Sequence, residues 1–161
     1  MFLYYIKEDY IDFLKTFEPK IAYNKHETRP YIGVVISVDD IDFFAPLSSP
    51  KQKHLKMKND IDFRKIDGGR LGVINLNNMI PVSSNDLIPI NFDLISDVKY
   101  KRLLQNQYRA ICQEEQKIIT SASKLRAIIL ADESKLTLHE ITIKKRCCNI
   151  KLLEKIYSQI H

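Results

Sequence analysis

The sequence predicts an α+β fold in which a small, strongly bent antiparallel sheet or barrel is followed by helices. All four glycines and all six prolines lie before residue 90. Short apolar runs bounded by turn residues fill the first half, whereas apolar residues at three- and four-residue spacing fill the second. Strands followed by helices are typical of α+β domains and not of wound α/β sheets.

Six short apolar runs predict the strands of the sheet. An Asp39-Asp40 turn separates the second run from the third, and Asp67-Gly68-Gly69 precedes the fifth. Near-continuous apolar runs of this kind favour a strongly curved sheet. The predicted strands are residues 2–6, 31–37, 41–47, 61–66, 71–76 and 87–92.

Periodicity predicts helices at both ends of the chain. A helix at about residues 7–17 carries Tyr10, Phe13, Leu14 and Phe17 at three- and four-residue spacing. A long helical region at about 96–131 has a core-facing stripe, and a shorter one at 149–160 closes the fold. Residues 136–145 alternate imperfectly and are predicted to be strand or irregular. The stripe consists of Leu104, Tyr108, Ile111, Ile118, Ala122, Leu125 and Ile129.

Length and composition indicate one domain, residues 1–161, with an anionic partner. The net charge of +5 favours nucleic acid, although acidic residues are mixed through most of the chain. No apolar run approaches the roughly 20 residues that span a bilayer, and the N-terminus lacks the pattern of a signal peptide, so we expect no membrane contact and a cytoplasmic protein.

The ligand-type residues predict neither a metal nor another cofactor. Three cysteines fit a reducing compartment, and no Cys/His spacing resembles a zinc site. No carboxylate cluster has metal-ligand spacing, so a DNA nuclease or a metal hydrolase is the least supported enzyme class.

The segment APLSSPKQKH, Ala45 to His54, carries the clearest chemical signal. An apolar run delivers Ser48 and Ser49 into a turn held by Pro50. Hydroxyls can bond phosphate oxygens, ammonium groups can offset phosphate charge, and an imidazole or lysine can move protons, so the grouping suits a phosphodiester. The alternative is a proline turn followed by a solvated lysine face. The basic residues that follow the turn are Lys51, Lys53, His54, Lys56 and Lys58.

Several collinear motifs resemble the ToxN/AbiQ family of type III toxin–antitoxin endoribonucleases. They are TRPYIGVVISVDDIDFFAPLSSPK at residues 28–51 and INLNNMIPV at 74–82. Tyr10-Ile11 matches a "YI" pair in the family's first helix. The segments CCNI at 147–150 and LLE at 152–154 look like its closing helix. The resemblance covers nearly the whole chain.

The resemblance implies a sheet similar to the SH3-like barrel of the Kid and MazF toxins, extended by helices. It also implies metal-independent RNA cleavage, in which the ribose 2′-hydroxyl attacks the adjacent phosphate and leaves 2′,3′-cyclic phosphate and 5′-hydroxyl ends. That reaction needs a proton acceptor, a cation near the non-bridging oxygens and a donor to the leaving oxygen.

By the same resemblance, Ser49 occupies the key serine position, where it bonds the scissile phosphate or aligns the 2′-hydroxyl, with Ser48 in support. Lys51 is the first candidate for charge stabilisation or proton transfer. Arg29, just before the "YIGVV" strand, completes a phosphate clamp, because its planar fork suits phosphate oxygens. Tyr10 matches a helix tyrosine that faces the same groove; the alternative is a place on the core face of its helix.

His54 lies five residues from Ser49 and is a further candidate acid or base, so the general base stays open between Lys51, His54 and an unassisted route. The predicted RNA contacts are Lys25, His26, Lys53, Lys56 and Lys58. Asn77 and Asn78 are expected to fix a turn.

The implied partners are a repeated RNA antitoxin folded into pseudoknots, cellular and phage RNA as substrate, and a closed heteromeric ring of toxin and RNA units. The toxin would process its own precursor RNA, with phage defence by abortive infection as the wider role. Two alternatives remain: an RNA-binding module without cleavage, and a MazF-like toxin with a protein antitoxin.

Overall fold

The computed structural model describes the backbone of residues 1–161 and every side chain except that of Val34. Strands precede helices, so the predicted α+β class is confirmed. The described strands are β1 (Phe2–Ile6), β2 (Tyr31–Val38), β3 (Ile41–Ser48), β4 (Arg64–Lys65), β5 (Val73–Ile74), β6 (Ile80–Pro81) and β7 (Leu87–Pro89). The described α-helices are α1 (Glu8–Lys15), α2 (Gln52–Lys56), α3 (Val98–Gln113), α4 (Glu115–Leu130), α5 (Leu138–Arg146) and α6 (Ile150–Ile160).

The sheet is antiparallel, in the order β4-β5-β3-β2-β1-β7. It is not closed through the described strands, because β4 and β7 lie at its two ends. β3 changes partner along its length: Phe43 and Phe44 pair with β6, whereas Leu47 and Ser48 pair with β5. β3 therefore ends, at Ser48, beside β5.

The β2–β3 hairpin is fixed by its turn. Asp39 and Asp40 both adopt left-handed φ angles, of 50° and 62°, as expected of a two-residue hairpin turn that matches the twist of its strands. The register places Tyr31 opposite Pro46, with a bulge between Gly33 and Ile36. The hairpin therefore brings the beginning of β2 beside the end of β3.

Helices cover both faces of the sheet and bury two apolar clusters. Successive side chains of β3 point to opposite faces of the sheet, so Phe43 packs in the first cluster and Phe44 in the second. The first cluster includes the predicted stripe of α3 and α4, and the second includes Leu14 of α1 and Leu153 of α6. The predicted core role of that stripe is confirmed, with Tyr108 only partly buried at its edge.

Two sequence interpretations are wrong. The segment at 136–145 is helical, because Thr137 and Glu140 form a reciprocal capping box that starts α5. The first helix buries Tyr10, Ile11 and Leu14, whereas Phe13 and Phe17 stay exposed and pack edge-on against each other.

Other elements differ in extent from their predictions. The helical region at 96–131 is interrupted at Glu114, which ends α3 and precedes α4. β4 and β5 are two residues each, and β6 and α2 were not predicted. Within the described part of the chain, no helix is both long and apolar enough to cross a membrane.

Candidate active site

The Ser48–Lys51 turn connects the end of β3 to the start of α2. Ser48 is the last residue of β3 and pairs with Val73 of β5, so its backbone is held by the sheet. Ser49 and Pro50 follow in exposed positions outside any strand or helix, and Lys51 precedes the first residue of α2. The turn is thus anchored at both ends while its middle faces solvent.

Ser48 is held by a side chain that the sequence did not predict. The Asn75 amide donates a hydrogen bond to Oγ of Ser48 at 2.8 Å and a longer one to the carbonyl oxygen of Pro46 at 3.3 Å. The backbone N–H of Asn75 also donates to that Pro46 carbonyl. Ser48 is therefore an anchored hydroxyl, and its supporting role in catalysis stays a prediction.

Two glycines let the turn pack closely against the loop after β4. A Cβ atom at Gly72, whose φ is +97°, would lie 1.9 Å from the carbonyl oxygen of Ser48. A Cβ atom at Gly69 would lie 2.5 Å from the carbonyl oxygen of His54 in α2. Only residues without a side chain allow this approach, so both glycines help to set the position of the turn.

Ser49 opens onto a cleft of about 270 Å³. Arg29 and Lys25 line the same cleft, so the structure brings three of the predicted site residues together. The far wall is α3, which contributes Tyr100 and Gln107. Oγ of Ser49 has no hydrogen-bond partner among the described residues, so it is free to bond a ligand.

The loop before β2 holds Arg29 at this cleft. Its guanidinium donates from Nε to the carbonyl oxygen of Tyr23 and from Nη1 to that of Leu47, the latter at 3.2 Å. The second bond places the charge one residue before Ser48. Its remaining donors are available for an anion.

The same loop contains three consecutive residues in the left-handed conformation. Lys25, His26 and Glu27 have φ angles of 56°, 53° and 61°, a conformation that costs about 1–2 kcal/mol per non-glycine residue. Reciprocal bonds offset this strain: the Glu27 carboxylate accepts from the N–H of Glu8 at 2.8 Å, and the Glu8 carboxylate accepts from the N–H of Glu27 at 3.1 Å. The strained loop presents Lys25 to the cleft, whereas His26 lies exposed and bonds Tyr23 at 3.0 Å.

His54 does not lie free beside Ser49 but is 2% exposed. Its Nδ1 accepts a hydrogen bond from the backbone N–H of Lys51 at 3.2 Å, which places its proton on Nε2. Burial, together with the nearby ammonium groups of Lys53 and Lys51, lowers the pKa of His54 below its usual range. His54 is therefore a neutral side chain that fixes the start of α2.

The lysines of the α2 region are exposed and form a basic surface beside the turn. Lys51 lines a shallow groove of about 380 Å³ with Pro50 and Arg70, on a different cleft from Ser49. Among the described side chains, these lysines form no ion pair, so their charge is available to an anionic partner. The exposed set is Lys51, Lys53, Lys56 and Lys58.

Tyr10 lies in the second apolar cluster and is not among the residues that line the Ser49 cleft. Its hydroxyl donates to the carbonyl oxygen of Pro81 at 2.6 Å in a buried bond. Burial, followed by the charge of Asp86, raises its pKa above the usual range. Tyr10 therefore lies on the core face of α1, as the alternative interpretation of the sequence expected. Its catalytic role stays a prediction.

Sequence reasoning missed Tyr100 and Gln107 as cleft residues. Gln107 follows Leu104 by three positions and precedes Ile111 by four, so it occupies a core position of α3 with a polar side chain. A polar residue at a core-facing helix position was the signal in the sequence that could have identified Gln107. Gln107 donates from Nε2 to the carbonyl oxygen of Leu71 at 2.7 Å, and Tyr100 donates to that of Thr28 at 3.3 Å. Both bonds tie α3 to loops that flank the cleft.

The described residues contain no group of three or more His, Cys, Asp or Glu side chains placed to hold a metal ion. Asn77 and Asn78 lie in a short 3-10 turn, Leu76–Asn78, but among the described residues neither side chain forms the turn-fixing hydrogen bond expected of it. The backbone of Asn77 bonds Asp62 and Cys148 in other segments. The Ser49 cleft itself offers a free hydroxyl, the guanidinium of Arg29 and the ammonium group of Lys25.

A hydroxyl, a guanidinium and an ammonium group can together bind a phosphodiester. Comparison with known proteins shows which family of proteins carries this site. The family of toxin ToxN, type III toxin–antitoxin system, matches residues 2–158. The chain belongs to this family, and the predicted resemblance is confirmed.

Relatives in three bacteria carry the name endoribonuclease. Endoribonuclease ToxN of Pectobacterium atrosepticum is 28% identical, covering 98% of this chain and 92% of that protein. Endoribonuclease ToxN of Bacillus thuringiensis subsp. kurstaki is 38% identical over 48% of this chain and 41% of its own length. Endoribonuclease AbiQ of Lactococcus lactis subsp. lactis is 34% identical, covering 48% of each. The predicted endoribonuclease class is confirmed at the level of the family.

Two solved structures have the same fold over nearly the whole chain. One, from work on selective inhibition of a bacterial type III toxin by a non-coding RNA pseudoknot, has a TM-score of 0.85 at 27% identity and covers 98% of this chain and 96% of that one. The other, AbiQ, a lactococcal anti-phage endoribonuclease of a type III system, has a TM-score of 0.78 at 26% identity and covers 98% of each chain.

Proposed function

We propose that this protein is an endoribonuclease toxin that cuts RNA in the Ser49 cleft without a metal ion. The 2′-hydroxyl of the substrate attacks the adjacent phosphate, leaving a 2′,3′-cyclic phosphate and a 5′-hydroxyl. The observation that carries the proposal is the unpartnered hydroxyl of Ser49 in one cleft with Arg29 and Lys25. Family membership supports the reaction class.

Each proposed role follows from the contacts of the group concerned. Oγ of Ser49 bonds the scissile phosphate or aligns the 2′-hydroxyl. Arg29 is already anchored through Nε and Nη1, so its free donors meet the non-bridging oxygens without further ordering of the side chain. Preorganised donors of this kind stabilise developing charge at little reorganisation cost. Lys51 adds charge from the other end of the turn.

The burial of His54 narrows the choice of general base. A base must reach the proton that it abstracts, whereas His54 is enclosed and uses Nδ1 for the Lys51 N–H. We therefore assign His54 to positioning the turn. Lys51 lines the neighbouring groove, so as base it must extend its side chain past Pro50 to the Ser49 cleft; otherwise the 2′-hydroxyl loses its proton without assistance from the protein.

The proposed partners follow from the relatives. Inhibition by an RNA pseudoknot was described for a structure that shares this fold, and the exposed lysines of α2 suit phosphate contacts. We propose the same kind of antitoxin here, processed by the toxin from its precursor and assembled with it in a closed ring. Cellular and phage RNA in the cytoplasm are the proposed substrates. We also propose that the bent sheet is similar to the SH3-like sheet of the Kid and MazF toxins.

Cleavage of an end-labelled, unstructured RNA by purified protein in excess EDTA tests the chemistry. The expected result is cutting that persists in EDTA, yields 2′,3′-cyclic phosphate ends and stops at a site carrying a single 2′-deoxy substitution. Cutting of the 2′-deoxy site at the normal rate would contradict the proposed mechanism. Salt-sensitive binding without any cutting would instead support the RNA-binding module.

A further inference from the structure

Helix α3 has a charge pattern that the Ser49 turn does not explain. Its 16 residues include four cations and no acidic residue, in a chain whose net charge is only +5. Lys101 is paired with Asp93 at 3.6 Å, whereas the other three cations form no ion pair among the described side chains. The unpaired cations are Lys99, Arg102 and Arg109.

These cations belong to one polar stripe, which we call the α3 stripe. Its members recur at intervals of three and four residues, so they lie along a single side of the helix. With 1.5 Å of rise per residue, the stripe is about 21 Å long. None of its side chains forms a hydrogen bond within the described part of the molecule. The α3 stripe consists of Lys99, Arg102, Asn106, Arg109 and Gln113.

The far end of the α3 stripe borders a second cleft, of about 590 Å³, which is larger than the Ser49 cleft and is called the larger cleft below. Asn106, Arg109 and Gln113 line it. Its two acidic residues are neutralised by neighbours, since Asp67 pairs with Arg70 at 2.6 Å and Glu114 with Arg64 at 3.1 Å. The cleft therefore offers free amide groups and one free guanidinium.

The larger cleft and the Ser49 cleft share α3 as a wall. Gln107 lines the Ser49 cleft and bonds the carbonyl oxygen of Leu71, and Leu71 lines the larger cleft. With about 3.6 residues per turn, the α3 residues that line the Ser49 cleft lie on a different side of the helix from the α3 stripe, which reaches the larger cleft at Arg109. The two clefts lie on either side of one helix and not on separate parts of the protein.

We propose that the α3 stripe is a track for single-stranded RNA that runs along the exposed side of α3 to the larger cleft. The inference rests on the proposed function, because it extends the same bound RNA. Lys99, Arg102 and Arg109 contact phosphates. Amides of Asn106 and Gln113 face an unstacked base at the larger cleft, since single-stranded RNA is read through exposed base edges.

Binding of a 30-nucleotide 2′-O-methyl RNA, which lacks the attacking hydroxyl, tests the track without cleavage. The test variant is Lys99→Gln/Arg102→Gln/Arg109→Gln. The matched control is Lys124→Gln/Lys151→Gln/Lys155→Gln, because these exposed lysines lie on α4 and α6 and their loss changes the net charge by the same three units. Both sets are exposed and unpaired, and circular dichroism verifies folding.

The expected result is a dissociation constant that rises roughly tenfold or more for the α3 variant, with a log–log salt slope that falls by about 2, from about 0.7 for each lost phosphate contact. The control should bind like wild type. Equal binding and equal slopes for the two triple variants would overturn the track. Failure of the proposed function is seen separately, as absence of cutting when unmodified RNA is bound by wild type.

Discussion

The backbone N–H of Lys51 donates a hydrogen bond to Nδ1 of His54 at 3.2 Å, and the N–H of His54 returns one to the carbonyl oxygen of Lys51 at 2.9 Å. This reciprocal pair closes the first turn of α2. It makes His54 an acceptor in the scaffold, so the Ser49 turn is fixed on one side by an imidazole and on the other by β5.

Substitution of His54 should distinguish an acceptor from a base. His54→Asn keeps an acceptor near the position of Nδ1, whereas His54→Leu leaves the Lys51 N–H without one. We expect His54→Leu to be less stable than His54→Asn by about 1 kcal/mol and to cut RNA more slowly. Urea unfolding and single-turnover cleavage measure the two effects. Equal, complete loss of cutting in both variants would restore His54 as general base.

The lowered pKa of His54 predicts acid sensitivity of the fold. Below the unfolded-state pKa of about 6.5, the unfolded chain binds a proton that the folded chain resists, so stability rises with pH in that range. The contribution is complete above about pH 6.5 and is lost as the pH falls. We expect a larger loss of unfolding free energy between pH 7.5 and 5.5 for wild type than for His54→Asn. Parallel losses would contradict a folded-state pKa shift at His54.

The close approach of Gly72 to Ser48 predicts an unequal response of two glycines. Gly72→Ala puts a methyl group against the Ser48 carbonyl, whereas Gly68, with φ of +63°, has nothing within 4 Å of an added Cβ. Gly68→Ala should cost about 1 kcal/mol from backbone strain alone. Gly72→Ala should cost at least about 1–3 kcal/mol more and slow cutting by displacing the turn. Similar unfolding free energies for the two variants would contradict the close packing of Gly72 against the Ser48 carbonyl.

The Asn75–Ser48 bond predicts that the two side chains act as a unit. If Asn75 works by orienting Ser48, Asn75→Ala and Ser48→Ala should each reduce cleavage by roughly fivefold, from a lost bond of about 1 kcal/mol. The double variant should be no slower than either single variant, because interacting residues are not additive. A double variant slowed by the product of the two factors would mean that they act independently.

Local patterns determined most of the fold. Turn residues with defined φ preferences, such as Asp39-Asp40, and the three- and four-residue stripe in α3 and α4 are local signals, and both predictions are confirmed. The α5 error has a local cause as well, because the Thr137–Glu140 capping box outweighs an imperfect alternation. The face of α1 depended on tertiary packing, which favoured Ile11 over Phe13.

The site was predictable only where its residues are adjacent in sequence or match the family. Ser48, Ser49 and Lys51 form one segment, and the family pattern added Arg29. Asn75 and Gln107 reach the site through long-range hydrogen bonds to Ser48 and Leu71, which no local spacing records. His54 was placed near the turn correctly, but its burial depends on the loop that contains Gly69.

The most direct test of the account compares cleavage by Ser49→Ala with cleavage by Ser123→Ala, an exposed serine of α4 outside the cleft. RNA binding by each variant is measured alongside single-turnover cutting in EDTA. We predict that Ser49→Ala binds RNA like wild type but cuts at least about 100-fold more slowly, whereas Ser123→Ala is unchanged. Cutting by Ser49→Ala at the rate of Ser123→Ala would show that the reaction takes place elsewhere.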